Sequence, residues 1–257
     1  MIAYYCINRA SDTVRRAAME AQARQHGLDL TFVIATEGAT VDYDDPALGY
    51  DRRRRLRAFG DLSRNEIAVV CSHRRALEMF LAGAAEYGVL LEDDARLADG
   101  FAGTMERLVQ QSRGWHLLRL ECRHGRRGYT IGRVAPGIDL YAPLDAEVGS
   151  TATLYSREGA RRTHGALRRF IRPIDEHLGL FWRWGLRVVE LDPPIVHEDK
   201  THATTVSQRG GRRRRGFRAW FWTRPAKLVH GMAKRLQAFR TARNVRVQDR
   251  PTDQAPV

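Results

Sequence analysis

The run Val89-Leu90-Leu91-Glu92-Asp93-Asp94-Ala95-Arg96-Leu97 closes an apolar stretch of strand character with three consecutive acids. Adjacent carboxylates repel one another, and folding raises their proton affinity unless a cation sits among them. Hard oxygen ligands suit Mg²⁺ or Mn²⁺, which usually complete their coordination with substrate phosphates. The chemistry open to this run is therefore a metal–diphosphate site at the carboxyl end of a strand. The plain alternative is a solvated acidic loop cap. Successive strand residues face opposite sides, so the three acids cannot ligate equally. Glu92 and Asp94 should share a side, and Asp94 is expected to reach the metal.

A strand end needs a sheet behind it. Met1–Ile7 and Leu30–Ala35 read as strands, with a helix from Asp12 to Gln25 between them and Ser11 or Asp12 as its cap. Residues 40–60 turn from acidic to basic and read as a mobile loop. Ser63-Arg64-Asn65-Glu66 is a capping box. The helix behind it places Ile67, Val70, His73, Leu77, Phe80 and Leu81 at helical spacing. Tyr87–Leu91, Trp115–Leu120, Ser150–Tyr155 and Leu186–Leu191 read as further strands. Helices are expected over 101–111 and 157–170, with a short one opening at Pro173. Residues 123–142 read as a loop or hairpin. The alternation is βαβαβα, which predicts an α/β domain with a mainly parallel central sheet. Ligands of such sheets sit outside the carboxyl ends of the strands, where the acids lie.

The chain has 257 residues, 43% of them hydrophobic, enough for one large α/β domain. It contains no apolar run long enough to span a membrane. Met1–Ile7 lacks a basic leader and reads as a buried strand, not a signal peptide. Cys6, Cys71 and Cys122 have neither metal-ligand nor disulfide spacing and fit buried thiols in a reducing cytoplasm. The net charge is +13, which implies an anionic partner. Arg209 to Arg240 holds 11 Lys and Arg and no acid, and taking those 11 from +13 leaves +2 for the rest.

These pieces, in this order, resemble glycosyltransferase family 25, the lipooligosaccharide and lipopolysaccharide galactosyltransferase-like enzymes. Ile7-Asn8-Arg9 with Arg15-Arg16 is similar to the family's opening, with Arg9 where the family usually has Leu. Ala35-Thr36-Glu37-Gly38 resembles its Ala-x-Asp-Gly turn. Leu62 to His73 resembles its Leu-x-x-Gly-Glu-Ile-Gly-Cys-x-x-Ser-His signature without the glycines, and with Cys71 displaced. Leu91-Glu92-Asp93-Asp94 matches the acidic motif as it stands. Gly149–Ala160, Pro173-Ile174-Asp175 and Pro193-Pro194-Ile195 are similar to later landmarks.

The resemblance covers residues 1–208. It implies a GT-A fold, a UDP-sugar donor (usually UDP-galactose), Mn²⁺ or Mg²⁺, and inversion at the anomeric carbon. It implies donor contacts from Asn8, Arg9, Glu37, Ser72, His73 and Asp93, with Asp93 on the ribose or sugar. Glu92, Asp94 and His197 are the implied metal ligands. His197 stands beyond the last strand, where many GT-A enzymes complete the metal shell; a surface histidine is its alternative. Inversion needs a general base opposite the diphosphate. Asp175, with Glu176 as substitute, fits a late acidic loop; a helix cap is the alternative for Asp175.

The tail, 209–242, reads as a basic amphipathic helix with an aromatic start at Phe217, Trp220, Phe221 and Trp222. Such a helix lies well on an anionic membrane surface. A lipid-linked glycan acceptor would put the enzyme on the inner face of the cell membrane, cytoplasmic and peripheral. Packing back on the domain is the alternative for the helix. Residues 243–257 read as disordered. The rival function is a nucleic-acid-binding protein or metal-dependent nuclease, which would need basic residues near the acids. A non-catalytic scaffold of the same shape is the third reading.

Overall fold

A computed structural model describes residues 1–121, 128–144, 149–199 and 217–248, with side chains in the last helix described from 231 onward. Strands β1 (Ile2–Asn8), β2 (Leu30–Ile34) and β3 (Tyr87–Glu92) are separated by helices α1 (Thr13–His26), α2 (Arg52–Ala58) and α3 (Arg64–Ala82). Then follow β4 (Ala95–Leu97), α4 (Phe101–Gln111), β5 (Ser112–Arg113), β6 (Leu117–Arg119) and the hairpin β7 (Gly128–Ala135) and β8 (Ile138–Pro143). The described chain closes with β9 (Ala152–Ser156), α5 (Arg157–Leu167), α6 (Ile174–Leu178), β10 (Val188–Asp192), β11 (Val196–Glu198), α7 (Phe217–Asn244) and β12 (Arg246–Val247).

Eight strands form one sheet in the order β2-β1-β3-β9-β6-β10-β8-β7. The pairings β1·β2, β1·β3 and β6·β10 are parallel; β3·β9, β6·β9, β8·β10 and β7·β8 are antiparallel. The sheet is thus mixed, where a mainly parallel one was expected. Only β9 and β8 run against the other six strands. β9 inserts between β3 and β6, and β8 returns the hairpin. The carboxyl ends of β1, β2, β3, β6 and β10 therefore share an edge with the amino ends of β9 and β8.

Alternation along the strands builds a core on each face. On one face Tyr5, Ile7, Leu90, Leu117 and Val188 meet Ile67, Val70, Leu77 and Phe80 of α3, with α5 and α6 beside them. On the other, Cys6, Val89, Leu91, Leu118 and Val189 meet Met19 of α1 and Phe101, Met105 and Leu108 of α4. Helix starts follow local chemistry. Asp12 accepts from the Arg15 amide, and Ser63 and Glu66 form the capping box expected from their spacing.

Three segments depart from the sequence reading. The 40–60 stretch contains α2, capped by Asp51 and tied to distant backbone by Arg55, which donates to Gly60 O and Ile171 O. Helix α5 ends at Leu167, because Phe170 leaves it to bridge Tyr50 and donate its amide to Gly49 O. Residues 243–248, expected to be disordered, finish α7 and pair Arg246–Val247 with Ser112–Arg113. Val245, 3% exposed, anchors that turn in the core. Residues 209–216 and 249–257 lie outside the described residues, as does Cys122.

Gly159 explains one landmark physically. A Cβ there would stand 1.8 Å from His116 O. That carbonyl is fixed, since the Ser156 amide donates to it and His116 N donates to Arg187 O. Gly159→Ala is expected to cost about 2–4 kcal/mol, at or above the usual range for overpacking, because backbone rather than a flexible side chain must yield. Urea denaturation checks it; an unchanged midpoint refutes the close packing of α5 on the sheet.

Candidate active site

The shared edge gathers most of the residues singled out from sequence. The three acids part company: Glu92 ends β3, and Asp93 and Asp94 form the turn that follows it. Glu92 turns to the α3 face, where its Oε1 lies 3.0 Å from His73 Nε2 and accepts from Ser150 Oγ at 2.5 Å. Its amide donates to Thr151 O. Asp93 turns to the α1 face. Its Oδ2 accepts from Asn8 Nδ2 at 2.9 Å, and its Oδ1 accepts from Arg15 Nη1 at 2.9 Å.

Asp94 is left differently. Its Oδ1 is buried and has no hydrogen-bond partner among the described residues. Burial, then repulsion from Glu92, Asp93 and Glu198, pushes its carboxyl up to about 7. Burial, then the charges of Asp93, Asp94 and Glu92, push the Cys6 thiol up, so that thiol is inert packing. Burial likewise raises Cys71.

The remaining expected donor contacts divide into rim and support. Arg9 and Glu37 lie at the open ends of β1 and β2, 4.0 Å apart and both exposed. Asn8 is buried; besides Asp93 it donates to Asp12 O, and its own carbonyl accepts from Ala35 N. Ser72 Oγ accepts from Thr36 N and donates to Ala68 O, pinning the 35–38 turn to α3. Ser72 and His73 are therefore supports for the turn and for Glu92. Asp93 is likewise held by protein groups, Asn8 and Arg15.

The expected ligand trio of Glu92, Asp94 and His197 is not assembled as a cage. Among the described residues no three His, Cys, Asp or Glu side chains converge on a metal position. His197 is exposed on β11, in register with Arg96. Its neighbour Glu198, on the opposite face of that strand by alternation, is the one whose charge reaches Asp94. A single buried carboxylate oxygen still fits a cation of the Mg²⁺ or Mn²⁺ kind, which takes one or two carboxylates and fills the rest with phosphate and water. Asp94 meets that need.

Asp175 and Glu176 are carried on a separate element, α6, whose Ile174 and Leu178 pack in the α3 core. Both are half-buried. Asp175 Oδ1 accepts from the Glu176 amide, and Glu176 is ion-paired with Arg172 at 3.0 Å.

Sequence reasoning missed the groups that hold Glu92 from the other side. Arg119 and Glu121, each 4% exposed, clamp the segment carrying Ser150. Arg119 donates to Gly149 O at 2.8 Å, and Glu121 Oε1 accepts from Thr151 N at 2.9 Å. Burial raises the Glu121 carboxyl. Arg119 also faces Glu190, which accepts from Tyr141 Oη. The signal was present: charges interrupt the otherwise apolar runs Leu117–Glu121 and Val188–Leu191. Arg15 of α1 is largely buried, its guanidinium paired with Asp93 at 2.9 Å.

The profile of glycosyltransferase family 25 (LPS biosynthesis protein) matches residues 1–133, just over half of the chain. No curated protein matches. Among solved structures, the chain is similar to a glycosyltransferase involved in the glycosylation of the major capsid of PBCV-1. The identity is 11% and the TM-score 0.30, over 64% of this chain and 65% of that one.

Proposed function

The chain belongs to glycosyltransferase family 25, and from that premise we propose that it moves a hexose, galactose in the first instance, from a UDP-sugar to a lipid-linked surface glycan of the lipopolysaccharide kind, inverting the anomeric carbon. Residues 1–208 are the transferase domain, of GT-A type. Residues 209–242 meet an anionic membrane surface and keep the protein on the inner face of the cell membrane. The observation that carries the reading beyond the family is Asp94, whose buried Oδ1 has no hydrogen-bond partner among the described residues and which lies among repelling acids at the carboxyl edge of the sheet.

Asp94 would hold the divalent cation, Mn²⁺ or Mg²⁺, that accompanies the donor diphosphate. Such a cation neutralises charge developing on the departing phosphate. The chain supplies the rest. Arg15 and Asn8 fix Asp93, and His73 and Ser150 fix Glu92, so that the acids keep one geometry on donor binding. Arg9 and Glu37, exposed at the rim, would touch the nucleoside. Asp175 takes the proton from the acceptor hydroxyl as that oxygen attacks, with Glu176 beside it.

A thermal-shift titration tests this. UDP with Mn²⁺ should raise the melting temperature by roughly 5–10 °C at a hundredfold over the dissociation constant, from about 2.7 kcal/mol of linkage. UDP-hexose hydrolysis should depend on Mn²⁺. No joint stabilisation, together with tight RNA binding, would overturn the proposal in favour of a nucleic-acid protein.

A further inference from the structure

Helix α7 is at once docked on the domain and unusually greasy outside. Ala238, Thr241 and Val245 are buried, and Gln237 Nε2 donates to Leu186 O, so the second half of the helix is fixed to the sheet end formed by β7, β8 and β10. The opposite face should then be polar, as on any surface helix. It is not. Met232, Leu236 and Phe239 stand on successive turns and are 69%, 50% and 46% exposed. Tyr129 of β7, itself exposed, extends the patch and meets the Phe239 ring edge-on at 6.1 Å.

The charges around this stripe have one sign. At 100° per residue, Arg243 falls on the centre line of the stripe, and Arg235 and Arg240 fall to its two sides. All three are exposed, and Arg243 lies over the Phe239 ring. From Lys200 to Gln248 the sequence has no Asp or Glu. An apolar centre with cations on both flanks is the arrangement in which arginines reach lipid headgroups while the apolar side chains sink below them. A second protein copy would set these same arginines against each other across the interface.

We propose that the Met232–Leu236–Phe239 face of α7, with Tyr129 and the flanking Arg235, Arg240 and Arg243, is the surface that docks on anionic lipid. The inference rests on the membrane reading above and locates it. Because α7 is fixed to the sheet, this face docks the transferase domain directly and in one orientation, whereas a flexible tail would merely tether it.

The test is flotation of the full chain with phosphatidylcholine vesicles, with and without phosphatidylglycerol. Three proteins are compared: the natural chain, Met232→Ser/Leu236→Ser/Phe239→Ser, and Arg235→Gln/Arg240→Gln/Arg243→Gln. None of these residues belongs to the proposed catalytic machinery, so melting temperature and transfer to a short soluble acceptor serve as folding controls. The natural chain should float only with anionic vesicles. The apolar variant should bind at least tenfold more weakly. The arginine variant should lose about a hundredfold, at about 1 kcal/mol per cation near the surface, and less at high salt. If the natural chain never floats, both the face and the membrane reading fail. If it floats and the apolar variant floats equally, the face is wrong while the membrane reading stands. If the natural chain is a dimer that the apolar variant dissociates, and neither floats, the occupant is a second copy and the proposal is overturned.

Discussion

Asp94→Asn is expected to lose Mn²⁺-dependent UDP binding by at least a hundredfold while making the empty protein more stable at alkaline pH. The loss follows from removing the anionic oxygen of Asp94, whose buried Oδ1 has no hydrogen-bond partner among the described residues. The gain follows from the electrostatics of the same position. In the folded protein burial and three neighbouring acids push this carboxyl up to about 7, against an ordinary 3.8. A raised acid contributes its stability in full below its unfolded value and loses it as pH rises through the folded one. The natural protein should therefore weaken between about pH 4 and 7 on account of Asp94, by on the order of 2–4 kcal/mol at about 1.4 kcal/mol per pH unit. The amide variant has no such loss. Its melting temperature should match the natural protein near pH 4, separate through the neutral range, and stay apart above it. Calorimetry with UDP and Mn²⁺ checks the first half. Unchanged affinity would remove Asp94 from the donor site, and a pH-independent gap would remove the electrostatic account.

Asp175→Asn is expected to cut turnover by about 10²–10⁴, the usual worth of a general base, with donor affinity nearly unchanged. The amide keeps the shape that accepts from the Glu176 amide, so the short α6 should persist. Only the capacity to take a proton is removed. The split between kcat and donor KM separates this role from a structural one, since a disordered α6 would also loosen the α3 core beneath it. Glu176→Gln is the companion variant: it breaks the pair with Arg172 and should cost little turnover. If Glu176→Gln is the crippled protein and Asp175→Asn is nearly normal, the proton acceptor is Glu176.

Both predictions concern acids visible in the sequence, yet they differ in how much the sequence said about them. The apolar run ending in Glu92-Asp93-Asp94 placed three acids at a strand end by itself, because strand propensity and pleat alternation are local. The capping box at Ser63 and the cap at Asp12 were readable for the same reason: their hydrogen bonds close within three residues. The concentration of cations after Arg209 is likewise a property of the chain alone.

Which acid is left with a buried, unpartnered oxygen was decided by tertiary structure. Asp93 is held by Asn8 from 85 residues away and by Arg15 from 78, and Glu92 by Ser150 from 58. No local pattern encodes such pairings; they exist only once β1, α1, α3 and the start of β9 converge on one sheet edge. The antiparallel insertion of β9 is itself of this kind, since its apolar run reads alike in either direction and only its place between β3 and β6 brings Ser150 to Glu92. The tail shows the same division. The spacing of Met232, Leu236 and Phe239, four and three residues apart, sets them on one face of a helix by itself. Only packing against β7, β8 and β10 decided that this face stays outside, because burying Ala238, Thr241 and Val245 used up the other one.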